Sequence, residues 1–141
     1  MIDKQSILKI ISDYFSEQKE VVAVYLFGSF AVDTNKPFSD IDIALLLDRD
    51  RIKDFNQQRR VYLAKLSRCT RMDIDLVIMN TASEGLLKQI YANGKCLVVN
   101  DDKQLASFNM ISFSNIADFA YNQKIMQSGV INSILKGGAV G

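Results

Sequence analysis

The sequence predicts an α/β fold, in the broad sense that includes α+β, with about four strands in one sheet flanked by helices. Three observations predict it. Segments of helical period alternate with short β-branched runs along the chain. Val21 to Phe27 is apolar at every position, the pattern of a central strand covered on both faces. Residues 40–47 and 72–79 instead alternate, each with carboxylates entering from its N-terminal half.

Each element has its own signal. Residues 3–19 read as a helix, because Ile7, Leu8, Ile11, Tyr14 and Phe15 form one buried face. Gly28 breaks the first strand, and Ser29-Phe30-Ala31-Val32 is expected to begin a short helix. A loop follows, with Pro37 marking the approach to the next strand. In residues 40–47, Ile41, Ile43, Leu45 and Leu47 share one side, and Asp40, Asp42, Ala44 and Leu46 the other. A helix is expected over 51–68, capped by Asp48 or Asp50, with Ile52, Phe55, Tyr62, Leu63 and Leu66 as its anchors. In the third strand, 72–79, Asp73, Asp75, Val77 and Met79 share a side. Thr81 or Ser83 opens a short helix with Leu86, Leu87, Ile90 and Tyr91, which Asn93-Gly94 ends as a glycine C-terminus. Lys95 to Val99 is a fourth strand, and Asp101-Asp102 opens a long helix over about 103–127. Residues 1–141 read as a single domain, with 129–141 expected to be a flexible tail.

Composition then narrows the chemistry. The 141 residues are 48% hydrophobic, which supports a packed core, and no apolar run approaches the ~20 residues that cross a bilayer. Met1-Ile2-Asp3-Lys4 lacks the order of a signal peptide, so a cytoplasmic location is expected. A net charge of +1 carries no electrostatic footprint for nucleic acid, and direct nucleic-acid binding is not expected. Arg59-Arg60 with Lys65, Arg68 and Arg71 is a modest basic patch, read as a solvated helix face. Cys69 and Cys96 are expected as free thiols. The chain has no histidine, which removes Ser-His-Asp triads, Cys-His pairs and histidine zinc sites. Asp outnumbers Glu, and several Asp sit in strand-like runs where Asp is disfavoured, so those positions draw a functional reading.

The strongest of these is a compound motif. Gly28-Ser29 ends one apolar run, and after ten intervening residues Asp40-Ile41-Asp42 opens another. Either half alone is ordinary junction chemistry. Both at one fixed spacing arise by chance on the order of once in two hundred such chains. On a strand the two carboxylates project together, roughly 6.5–7 Å apart, and repel by roughly 2.5 kcal/mol at an effective dielectric of ~20. A cation between them, or protonation of one, is therefore expected. The helix start after Gly28 favours a phosphate, with Ser29 adding a hydroxyl donor. Paired carboxylates favour Mg²⁺ shared with substrate phosphates, and a third on the next strand completes a two-metal clamp for in-line displacement at phosphorus. No Gly-x-x-x-x-Gly-Lys-Ser/Thr is present, so this is not a P-loop.

Gly28-Ser29-x10-Asp40-x-Asp42 resembles the signature of the nucleotidyltransferase superfamily that includes DNA polymerase β. Within it, Phe38 to Leu45 looks most like the minimal nucleotidyltransferases, the MntA-type antitoxins. Met72 to Val77 resembles the family's third-carboxylate strand. Ala82 to Leu87 with Asn93 to Val98 resembles its closing helix and strand, so the likeness covers about residues 21–100. It implies the mixed-sheet nucleotidyltransferase fold. Gly28 and Ser29 would contact the triphosphate of ATP. Asp40 and Asp42, with Asp75 by register or Asp73 as fallback, would ligate Mg²⁺, two ions in all. The third carboxylate would also help deprotonate the acceptor. The resemblance further implies an antitoxin partnered with a HEPN-domain ribonuclease toxin, moving AMP from ATP to a tyrosine hydroxyl of that toxin. A small-molecule nucleotidyltransferase of aminoglycoside type is the enzymatic alternative. A non-catalytic antitoxin that neutralises by binding is the other, and would use an apolar face drawn from Phe108, Ile111, Phe113, Ile116, Phe119 and Tyr121 on the last helix.

Overall fold

The structure is a computed structural model and describes residues 3–28 and 40–128. The elements run α1 (Lys4–Ser16), β1 (Val21–Phe27), β2 (Ile41–Leu47), α2 (Phe55–Thr70), β3 (Ile74–Ile78), α3 (Glu84–Asn93), β4 (Lys95–Val99) and α4 (Asp102–Ser128), with a 3₁₀ turn at Met79–Thr81. The sheet order is β3-β2-β1-β4. β1 is antiparallel to both β2 and β4, while β2 and β3 are parallel, so the sheet is mixed. The expected helix after Gly28 lies outside the described residues, as does the tail 129–141.

Alternation in the strands separates two cores. Ile41, Ile43, Leu45 and Leu47 of β2 pack with Ile7, Ile11 and Phe15 of α1 and with Tyr62 and Leu66 of α2. Ala44 and Leu46 pack on the other face with Leu87 and Ile90 of α3, and with Leu105, Phe108 and Ile116 of α4. β1 lies between the two layers and is buried at all of its positions, as its unbroken apolar run requires.

Three boundaries differ from expectation for local reasons. The second helix begins at Phe55 and is capped by Asp54, whose carboxylate accepts from the Gln57 N–H at 3.1 Å. Asp48 is not that cap. It accepts from the Asp50 N–H at 3.0 Å and from Gln104 Nε2 of α4 at 3.1 Å, so it turns the chain after β2 and delays the helix. Ile52 is buried from this turn without being helical. The third strand covers only Ile74–Ile78, because Met79 already enters the 3₁₀ turn and Asp73 precedes the strand.

Gly94 ends α3 with φ −82°, not in the left-handed conformation expected of a glycine terminus. It is glycine for space: a Cβ there would lie 2.3 Å from the Ile90 carbonyl oxygen and 3.2 Å from that of Leu26. The helix end is thereby pressed against β1. Ser83 supplies the N-terminal cap, accepting from the Leu86 N–H. At the opposite end of the sheet the Asn100 amide donates to the carbonyls of Phe15, Gln18 and Val21, tying α1 and β1 to the exit of β4. Cys69 and Cys96 are both free. Among the described residues no helix is long and apolar enough to cross a membrane.

Candidate active site

The end of β1 and the starts of β2 and β3 meet at one end of the sheet. Phe27 pairs with Asp42, and Asp42 pairs with Asp75. Ala44 and Leu46 of β2 and Met79 after β3 lie in the core under α3 and α4, with Val77 packed against it, so strand alternation carries Asp42 and Asp75 toward that same face. Asp40 precedes β2 on the same side and is exposed, as is Asp75, while Asp42 is half-buried.

Gly28 and Asp42 are sterically coupled. Gly28 has φ +75°, a region that side chains rarely adopt. A Cβ added there would sit 2.1 Å from Oδ2 of Asp42 and 3.0 Å from its Cγ. The volume that any other residue would fill is taken by the Asp42 carboxylate. The glycine is thus explained first by the aspartate across the strand pair, a relation the spacing did not disclose.

Burial pushes the Asp42 carboxyl above the usual carboxylate value, and the charges of Asp75 and then Asp40 push it further in the same direction. Those causes identify which acids share a field. Asp75 is both the register partner of Asp42 and its leading charged neighbour, and Asp73 contributes nothing to that shift. The Asp73 backbone carbonyl serves the sheet, accepting from the Ile41 N–H at 3.0 Å. Among the described residues Asp42 has no cationic partner. The nearest counter-charge in the group is Arg59 of α2, with Nη2 4.0 Å from Oδ1 of Asp75. Its Nε donates to the Leu76 carbonyl, which anchors the guanidinium at the β3 edge. In the sequence Arg59 was only one of a run of solvated cations, and no local pattern marks it out.

Ser29 lies outside the described residues. Among those described, no three acidic or thiol side chains converge as a ready-made metal cage. The donor set nevertheless suits a hard divalent cation. It consists of carboxylates only, one of them half-buried and held by its neighbours in a field that raises its proton affinity, a condition a cation relieves. A groove of about 480 Å³ between α1 and α2, lined by Tyr14, Gln18, Val61, Ala64, Lys65 and Arg68, contains none of these acids.

Known proteins resemble this chain in sequence and in fold. The family model described as Polymerase beta, Nucleotidyltransferase matches residues 9–103. The chain is 29% identical over 137 residues to the protein adenylyltransferase MntA of Shewanella oneidensis, covering 96% of this chain and 93% of that protein. A solved toxin–antitoxin structure with AMP-PNP is similar at 26% identity and TM-score 0.67, covering 92% of this chain and 99% of the other. A structure of a tri-AMPylated Shewanella oneidensis HEPN toxin in complex with MNT antitoxin shares the fold, at 24% identity and TM-score 0.62, covering 94% of this chain and 99% of the other.

Proposed function

The chain belongs to the polymerase β-type nucleotidyltransferases, and from that membership we propose that it is an Mg²⁺-dependent protein adenylyltransferase, the antitoxin of a HEPN toxin pair. The observation that carries the reading is the shared field of Asp40, Asp42 and Asp75 at the strand end where Gly28 makes room for the Asp42 carboxylate. Similarity across nearly the whole chain to a protein adenylyltransferase supports the choice of acceptor class. Similarity to an antitoxin crystallised with an ATP analogue supports the nucleotide.

In this reading Asp40, Asp42 and Asp75 hold the metal, and Gly28 with Ser29 receives the triphosphate. Bound Mg²⁺ supplies Lewis-acid charge to the phosphate oxygens and lowers the barrier to an in-line displacement. A tyrosine hydroxyl has a pKa near 10 and needs help to lose its proton, and the exposed carboxylate of Asp75 would accept or relay it. The tyrosine oxygen forms a bond to the α-phosphorus, the bond to the bridging oxygen breaks, and pyrophosphate leaves with the electron pair. Arg59 restrains β3 beside Asp75 without covering its carboxylate, which stays largely exposed.

ATP labelled at the α-phosphate tests the reaction class. Label from α-³²P ATP should move to the co-purified toxin, with pyrophosphate released and nothing transferred from γ-³²P ATP. Transfer of the γ label, or of neither, would overturn adenylyl transfer.

A further inference from the structure

Arg59 differs from the other cations of its helix. Arg60, Lys65 and Arg68 are exposed, whereas Arg59 is half-buried and turned back onto β3. α2 packs on one face of the sheet through Tyr62 and Leu66, while Asp42 and Asp75 face the other. Arg59 joins the two faces by reaching round the open edge of the sheet, where β3 is the last strand. The Asp73 carbonyl points inward and accepts from the Ile41 N–H at the start of β2. By backbone alternation the Leu76 carbonyl, three residues on, points off the free edge, where no strand pairs with it. The Nε–H of Arg59 donates to that carbonyl, and Nη2 of the same guanidinium lies 4.0 Å from Oδ1 of Asp75.

Asp75 needs such a hold. It is the second residue of β3, and its side chain is 62% exposed. Its register partner is another carboxylate, Asp42, one strand spacing of ~4.8 Å away. Like charges directly opposite each other repel. Asp42 is confined beside Gly28, so the carboxylate free to give way is the one on the open edge. An ordinary exposed ion pair would do little against this, because two long side chains must first be ordered. Here the ordering is already done: the Leu76 carbonyl fixes the guanidinium, and its planar fork leaves Nη2 facing the carboxylate. At 4.0 Å the contact is attraction without a hydrogen bond, so it leaves both oxygens of Asp75 open to a cation.

Resting on the reading above that Asp75 is a metal-binding carboxylate, we propose that Arg59 is a positioning residue of the site. Fixed to the β3 edge through Leu76, it holds the Asp75 carboxylate beside Asp42 against their mutual repulsion, and so preforms the third ligand before the metal arrives.

The test is Arg59→Met, which keeps a long apolar stem without the Nε–H or the charge, with Arg59→Lys beside it, which keeps the charge without the fork. Mn²⁺ alone is titrated into each and the free ion followed by electron paramagnetic resonance. Kd for Mn²⁺ should rise roughly tenfold or more in Arg59→Met, as when a partner that orients a metal ligand is lost. Lysine should recover only part of it. The melting temperature should stay close to wild type, because an exposed pair contributes little and a carbonyl freed at an edge is hydrated. In transfer assays kcat should fall with KM for ATP unchanged. In an Asp75→Asn background Arg59→Met should have no further effect on Mn²⁺ affinity.

Unchanged Mn²⁺ affinity in Arg59→Met overturns the proposal whatever the melt shows. Tighter binding does so too, since the guanidinium then competes with the metal. Full recovery by lysine leaves charge alone as the cause and overturns the anchored hold, and a full effect in the Asp75→Asn background shows that Arg59 does not act through Asp75. A wild type that binds no Mn²⁺ removes the metal reading and the proposal with it. Binding and transfer separate this proposal from the proposed function. A wild type that binds Mn²⁺, weakens in Arg59→Met and adenylylates nothing removes the transferase and leaves the positioning role. Wild-type transfer and wild-type Mn²⁺ affinity in Arg59→Met do the reverse.

Discussion

Replacing Gly28 with alanine should damage the site through two separable effects. The first is conformational: holding a non-glycine residue at φ +75° costs roughly 1–2 kcal/mol. The second is steric. The new Cβ would meet Oδ2 of Asp42 at 2.1 Å, and real Cβ contacts essentially never fall below 3.0 Å, so the carboxylate or the loop must retreat by about 1 Å. Displacements of that size at reacting groups can cost ~10²-fold in rate. The conformational part should lower the melting temperature by about 3–8 °C. Thermal melts and single-turnover transfer from ATP measure both. A double-mutant cycle separates them, because in an Asp42→Ala background the carboxylate is gone and Gly28→Ala should cost only the backbone part. Wild-type turnover and an unchanged melt for Gly28→Ala would refute the coupling. An equal stability loss in the Asp42→Ala background would refute its steric half.

Asp75→Asn should abolish measurable transfer, whereas Asp73→Asn should leave most of it, because only Asp75 shares the Asp42 field; equal losses in a transfer assay would contradict this. Asp42→Asn should raise the melting temperature of the metal-free protein at neutral pH. A carboxyl raised in the fold binds protons that the unfolded chain releases, so its stability penalty grows as pH climbs above 3.8 and persists above its folded value. The gain from Asp42→Asn should therefore fade as pH falls toward 3.8, and melts across a pH series in chelator would show a gain that grows toward acid if the sign were wrong. Asn100→Ala should cost about 1–3 kcal/mol in denaturant unfolding, because carbonyls of Phe15, Gln18 and Val21 lose their shared donor.

The strands were legible because each carries a period that only one arrangement satisfies. Val21–Phe27 and Lys95–Val99 fall where their apolar runs lie, and alternation in β2 and β3 assigns Asp42 and Asp75 to one face. Helix starts were less legible, because several Asp and Ser residues compete as caps. Asp54 won over Asp48 and Asp50 because the Asp48 carboxylate is engaged by the Asp50 N–H and Gln104, the latter a contact across 56 residues that local pattern does not carry. Gly94 was read as a conformational glycine and is a steric one, a distinction set by the Leu26 carbonyl on another strand. The same holds for Gly28 and Asp42, whose contact ties together the two halves of the motif. Arg59 escaped notice because its relation to Asp75 and Leu76 is purely tertiary. Of the apolar residues named on the last helix, Phe108 and Ile116 pack on the core while Ile111, Phe113, Phe119 and Tyr121 are exposed, a division set by what α4 lies against.

In the proposed function Asp40, Asp42 and Asp75, at one strand end, drive adenylyl transfer to a partner protein. Intact mass of the HEPN toxin, after incubation with this protein, ATP and Mg²⁺, tests it most directly. Whole AMP increments should appear with wild type and none with Asp40→Ala or Asp42→Ala, although both variants still bind the toxin. An unmodified toxin in a stable wild-type complex, or AMP increments from either variant, would contradict it.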